Sequence, residues 1–301
     1  MDKQKKADLV LVIITFFWGI ANPISDYMMR FWAPMQLTAA RFVVASAITF
    51  PILRKNLRGV SRRTAGSACL IGFLLAVIYL LAMYGLRLCS SVTVFSFLIA
   101  MPVIINPIIN LVFRRIVPER KFLLSLALSV IGLYLMTIKG EGFHIGTGEL
   151  LALAGSVCYS ADICYTDVAV ARDDVDARQL GVLQIGFAAV FMTLFSLFLD
   201  RGHVMVWNPG LAAFLILLAV GSTALAFIAQ PIAQQYTTSN HVGVIFSLEP
   251  VFSAMAAILF LREVVSARES LGAVLMIAAV ILMNVDFTGK DRKDEEDPKH
   301  L

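Results

Sequence analysis

Apolar residues fall in long runs along this chain rather than in strict alternation. A helix needs about 20 apolar residues to cross about 30 Å of hydrocarbon. Ten runs of that kind can be read, at 8–28, 36–53, 66–87, 92–113, 122–138, 148–170, 179–199, 211–235, 241–261 and 269–286. Short polar links separate them, among them RKNLRGVSRRT at 54–64 and ARDDVDAR at 171–178. Helices are the structure these runs predict, because lipid offers no partner to an unpaired backbone group and barrel-type alternation is absent. The first run follows KQKK and could pass for a signal peptide, but it lacks a small-residue cleavage site and carries Asp26, so it reads as a retained span. The charged stretch 288–301 has no periodicity and reads as a disordered cytoplasmic tail.

Composition agrees with this pattern: 59% of the residues are hydrophobic and 15% charged, against about half and a quarter in soluble domains. A soluble chain of this length has too much surface to hide so much apolar side chain. That excludes a soluble enzyme, a nucleic-acid-binding module and a disordered chain, and makes the lipid bilayer the first partner. The net charge of +4 is then no sign of nucleic acid. Cys69, Cys89, Cys158 and Cys164 show no CxxC and no metal spacing, so neither disulfides nor a metal or other cofactor is expected. With the N-terminus inside, eighteen Lys and Arg lie on the inner links and ends and six on the outer links. This favours a multi-pass plasma-membrane protein (the cell inner membrane) with both termini cytoplasmic.

The two halves resemble each other. FFWGIANPISDY (16–27) aligns with VCYSADICYTDV (157–168), placing Trp18 over Tyr159 and Asp26 over Asp167. MQLTAARF (35–42) aligns with RQLGVLQI (178–185), placing Arg41 over Gln184, and FLIAMPV (97–103) aligns with IFSLEPV (245–251). Five spans per half is an odd number, so the second half enters the membrane upside down. The expected fold is all-α and polytopic, with ten transmembrane helices as two inverted five-helix repeats at 8–140 and 148–287. That architecture belongs to alternating-access transporters, with the substrate near the midplane between repeats.

FFWGIANP at 16–23, AARF at 39–42 and SLEPVFSAMAAILFLREVVSARESLG at 247–272 resemble the EamA type of the drug/metabolite transporter superfamily. The resemblance covers about residues 8–286 and implies a secondary-active metabolite carrier, often an exporter, without naming its substrate. One departure is that Arg115 stands where the first repeat should match Glu263, the nearest acid being Glu119.

Ionisable groups inside spans are expensive and usually face a cavity. Trp18, Asn22 and Asp26 share a face of span 1, and Tyr159, Asp162 and Thr166 share one of span 6. Span 8 offers Gln230 and span 9 offers Glu249. Asn106, Asn110, Ser222 and Thr223 read as hydrogen bonds between helices. Pro23, Pro102, Pro107, Pro231 and Pro250 bend spans 1, 4, 8 and 9, whereas spans 5 and 10 have neither proline nor an interior ionisable group. Spans 1–4 and 6–9 are therefore expected to line the cavity. Spans 5 and 10 are expected at the periphery, in a monomer or at a homodimer contact. Trp18, Tyr79, Phe97 and Tyr159 form a candidate aromatic box for a small-molecule substrate.

Three further expectations concern charge. Asp26 and Arg41 should pair as an outer gate, with Asp167 and Gln184 as a neutral inner counterpart. Asp162 and Glu249 lie at equal depth on antiparallel helices, where one proton or a cationic substrate could exchange. Asp173, Asp174 and Asp176 suggest an intramembrane enzyme holding Mg²⁺ on a diphosphate, but no second acidic motif accompanies them and a solvated link explains them. A channel would need a ring of like residues around a pore, and no ATP-binding loop is present. Amino acids, amines and nucleoside-like compounds all suit a cavity with acids and aromatics.

Overall fold

The computed structural model describes residues 3–89, 92–137, 146–261 and 266–284. The tail 288–301, most of the link 139–147 and Glu263 lie outside the described residues. Helix occupies every apolar run read from the sequence. In chain order the helices are α1 (Lys3–Met28), α2 (Pro34–Leu53), α3 (Arg62–Leu88), α4 (Val92–Ile99), α5 (Pro102–Arg114), α6 (Arg120–Thr137), α7 (Thr147–Val170), α8 (Ala177–Leu199), α9 (Pro209–Leu217), α10 (Ala226–Gln234), α11 (Ser239–Phe246), α12 (Glu249–Leu261) and α13 (Ala267–Asn284). A π-helical segment, Leu218–Leu225, joins α9 to α10. Seven of the described stretches are long and apolar enough to cross a membrane: α1, α2, α3, Val94–Arg114, α8, Pro209–Gln234 and α13. The chain is a multi-pass membrane protein. Its outer faces carry Leu9, Ile13, Val190, Leu194 and Ile281 in the open, the surface that lipid covers.

Local chemistry starts and stops these helices. Ser61 caps α3 by accepting the Thr64 amide at 2.9 Å, and Asp176 caps α8 by accepting the Arg178 and Gln179 amides at 2.8 and 2.9 Å. These side chains satisfy amide donors that the first helical turn leaves open. Proline sets the two interruptions. Pro102 opens α5 after a break at Ala100–Met101, and Pro250 lies in the first turn of α12 after a break at Ser247–Leu248. Neither proline has an amide hydrogen to continue the preceding helix. Pro23, Pro107 and Pro231 are accommodated inside α1, α5 and α10.

The halves interleave rather than standing side by side. Helix α3 packs on α7 and α8, α2 on α8, α1 on α10, α11 and α12, and α5 on α7 and α11. Helices α6 and α13 pack on one another at the edge. Gly132 and Gly272 meet there so closely that a Cβ on either would run into the other's carbonyl oxygen. The edge position agrees with the expectation for spans 5 and 10, and the face these helices give one another is filled within the chain. The substitution Gly272→Leu should separate them, at the 1–3 kcal/mol typical of an overpacked core. It should lower the apparent Tm of the detergent-purified protein by several degrees, whereas Val274→Leu on the exposed face of α13 should leave it unchanged.

Candidate functional site

A cavity of about 70 Å³ lies where α1, α2, α3, α4, α7, α10 and α12 meet, lined by Trp18, Asn22, Arg41, Tyr79, Tyr159 and Glu249 among others. Its volume is that of a few waters and is smaller than a pocket for a metabolite, so a substrate would have to widen it. Two groups of opposite formal charge face it. Glu249 opens α12 directly after the helix break and accepts a hydrogen bond at 2.5 Å from the Asn22 amide on α1. Arg41, 3% exposed, has no carboxylate within ion-pair distance among the described residues. Its guanidinium donates to the Thr223 hydroxyl at 2.5 Å, the Ser222 carbonyl at 3.0 Å and the Tyr79 hydroxyl at 3.1 Å. It also lies 5.3 Å from the centre of the Tyr79 ring.

The π segment makes this reception possible. Its wide turn takes backbone groups out of the usual helical register, and the Ser222 carbonyl accepts both Arg41 and, at 2.9 Å, the Trp18 indole N–H. Aromatic rings close the walls. Trp18 stands 4.9 Å from Phe246, 5.6 Å from Phe227 and 6.1 Å from Tyr159, centre to centre. Phe42 lies 5.2 Å from Tyr79.

Several expectations are corrected. Asp26 and Arg41 do not pair: Asp26 sits near the end of α1, while Arg41 lies about 10 Å from the start of α2 at 1.5 Å per residue and turns toward the π segment. Gln184 does not meet Asp167, since its amide donates to the Phe227 carbonyl at 2.5 Å. Asp167 instead holds the ion pair expected of the opposite end: Arg114 reaches it at 2.5 Å and the Ser239 hydroxyl donates to it at 3.0 Å. Asp162 and Glu249 do not share the cavity. Glu249 lines it, Asp162 is buried away from it, and Tyr159 lies within electrostatic range of both. Phe97 faces an apolar cluster with Leu248 and Val251, and Phe95 takes its place in the lining. Gln230 donates to Gln234 at 3.1 Å, outside the lining. In the acidic loop Asp174 pairs with Arg63 at 2.7 Å and Asp176 caps α8.

Both ends of the cavity are bridged between the halves. At the end bearing the N-terminus, Asn106 and Asn110 donate to the Ser239 carbonyl and hydroxyl at 2.9 Å each, beside the Arg114–Asp167 pair. At the other end Asp200 accepts the Tyr84 hydroxyl and the Gln36 backbone N–H at 2.8 Å each, and Trp32 donates to the Val206 carbonyl at 2.6 Å. Asp200 was not singled out from the sequence, although an acid at the end of an apolar run was a usable signal.

The sequence pattern of the EamA-like transporter family matches this chain at residues 5–138 and again at 146–285. An uncharacterized transporter of Archaeoglobus fulgidus is 24% identical, over 94% of this chain and 87% of that protein. The uncharacterized transporter YvbV of Bacillus subtilis is 21% identical, over 93% and 92%. A solved crystal structure of 16% identity superposes with a TM-score of 0.74, covering 93% of this chain and 96% of its own.

Arg41 can be removed with two of its three hydrogen-bond partners keeping another contact, and the third, the Tyr79 hydroxyl, faces the cavity, where water can reach it. Without it, the Ser222 carbonyl keeps Trp18 and the Thr223 hydroxyl keeps the Leu218 carbonyl at 3.0 Å. Deleting a buried, carboxylate-free charge also removes its desolvation penalty. The Arg41→Met protein should therefore melt within a few degrees of the parent or above it, and a collapse in Tm would assign Arg41 to the fold rather than to the site.

Proposed function

The chain belongs to the EamA-like transporter family, and from that premise we propose that it carries a small zwitterionic metabolite, an amino acid in the simplest case, across the plasma membrane by alternating access. The observation that carries this reading is one small cavity presenting an unpaired guanidinium and a carboxylate together, walled by aromatic rings. A substrate carboxylate would replace neutral acceptors on Arg41 with a bidentate, charge-assisted contact. A substrate ammonium would take Glu249 from Asn22. When the substrate leaves, a proton would neutralise Glu249, which makes export exchange substrate for a proton. Asp162, with one oxygen buried and without a hydrogen-bond partner among the described residues, is the next acid beyond Tyr159 on the way to the N-terminal end.

The architecture in this reading is ten membrane passages, as two five-helix repeats of opposite orientation, with both termini cytoplasmic. The packing supports it. Exchanging the halves turns the α3–α7 contact into that of α10 with α1, the α5–α7 contact into α12 with α1, and the α4–α6 contact into α11 with α13, all of which are present. Pairs α2–α8 and α6–α13 map onto themselves. The breaks at Pro102 and Pro250 occupy equivalent places. The gates are the bridges at each end: Asp200 with Tyr84 and Gln36 outside, Arg114 with Asp167 inside. Asp26 and Gln184 take no part in either bridge: Gln184 donates to the Phe227 carbonyl.

Two experiments test this reading. In a counterflow screen with proteoliposomes, an amino acid should compete at least about tenfold better than the amine lacking its carboxylate or the acid lacking its ammonium, a difference of about 1.4 kcal/mol. Arg41→Met should abolish exchange and Glu249→Gln should abolish the response to a pH gradient. Equal competition by singly charged analogues, or full pH-driven transport by Glu249→Gln, would contradict the assignment. Cysteines placed at positions 59 and 143 on a cysteine-free background should label from opposite sides of intact cells, and same-side labelling would overturn the inverted arrangement.

A further inference from the structure

The cavity has two unlike sides. Its formal charge comes from α2 and α12, as Arg41 and Glu249, the latter held by Asn22 on α1. The wall supplied by α3 and α4 is carbon and one thioether sulfur: Leu75, Ile78, Ala82 and Met83 from α3, Phe95 and Ile99 from α4. Tyr79 is the exception on that wall, and its hydroxyl already accepts from Arg41 at 3.1 Å. Ala82 and Met83 follow Tyr79 by three and four residues, and Ile99 follows Phe95 by four, so each set shares one helix face. Ala82, Met83, Phe95 and Ile99 all belong to one buried apolar cluster.

A carboxylate on Arg41 and an ammonium on Glu249 fix two substituents of an amino acid's α-carbon, and the side chain must face a wall that is left. The aromatic rings are occupied with one another. Trp18 meets Phe227, Phe246 and Tyr159, and Tyr159 stacks on Phe246 at 6.0 Å. The α3–α4 wall has no such commitments, and the unbranched Met83 side chain adapts readily to what it packs against. Its backbone groups are bonded within the helices. A hydroxyl, amide or charge placed against it would lose water and gain no partner. A compact aliphatic group also needs less widening of the 70 Å³ cavity than an aromatic ring does.

We propose that the substrate is an amino acid with an aliphatic side chain, of the valine and leucine class, and that the α3–α4 wall selects it. Ala82, whose side chain is a single methyl, leaves the room that the substrate side chain fills. This inference rests on the zwitterion reading of the same cavity and adds to it the nature of the third substituent.

The experiment is leucine counterflow. Proteoliposomes of the full-length protein are loaded with unlabelled leucine, diluted into trace labelled leucine, and challenged from outside with competitors. Valine should compete between about tenfold and about a hundredfold better than threonine, which has its shape with a hydroxyl in place of one methyl. Leucine should likewise outcompete asparagine and phenylalanine. Ala82→Val, which fills part of the wall, should lower leucine's advantage over alanine at least about tenfold. Threonine equal to valine, or asparagine or phenylalanine equal to leucine, would overturn this inference whether or not Ala82→Val folds. So would an unchanged leucine advantage in Ala82→Val. In each case leucine still ahead of the amine lacking its carboxylate would leave the zwitterion reading standing. Counterflow of a polar amino acid but not of leucine would overturn this inference alone, and counterflow of no amino acid would overturn both.

Discussion

A guanidinium buried among uncharged groups governs the middle of this protein. Arg41 leaves water without a carboxylate at ion-pair distance among the described residues, and its charge is distributed over a carbonyl, two hydroxyls and the face of a ring. Such an arrangement is stable only where acceptors are fixed in advance. The π segment supplies them, because its wide turn brings the Ser222 carbonyl to two donors of the first half at once. The guanidinium is satisfied yet not neutralised, and this state can be improved on by an anion that arrives later. Glu249, held by a single side-chain amide at a helix break, is the complementary case.

Those two groups become a site because the halves interleave. Asn22 and Trp18 on α1 reach Glu249 and Ser222 in the second half, while Arg41 on α2 reaches Thr223. Movement of one half against the other must therefore rearrange the cavity, and movement requires exchanging the bridges at the ends. The two ends differ in chemistry. One end is bridged by Asp200 accepting neutral donors; the other is bridged by an ion pair supported by Ser239. In the proposed alternating-access reading both bridges must be reversible.

Much of the fold was legible in the chain, for a simple reason. Lipid forces every apolar run into helix, so run lengths alone placed the helices, and the proline beside Glu249 marked the break that presents its carboxylate. Trp18, Asn22, Tyr79, Tyr159 and Glu249 read from the sequence as substrate-site residues and line the cavity, and Arg41, which reads as a gate, lines it too. Partnerships across the bundle were not legible. Arg41 was assigned to Asp26 because they are close in a hairpin, yet depth along α2 and the direction of the side chain turn it toward Thr223. Ser222 and Thr223 read as ordinary interhelical hydrogen bonds, since nothing in LAVGSTAL announces a π segment whose carbonyl is available. The sequence points to Phe97 for the box, but α4 turns Phe95 inward instead, and nothing in the apolar run says which face does so.

The central claim is that one cavity offers a cation and an anion to the two ends of one substrate. A cryo-EM or crystal structure of the full chain with a transported amino acid tests it most directly. The account predicts the substrate carboxylate on the Arg41 guanidinium, displacing Thr223 or Tyr79, and the ammonium on Glu249 in place of Asn22. A substrate bound elsewhere, or in this cavity with Arg41 still held only by Ser222, Thr223 and Tyr79, would contradict it.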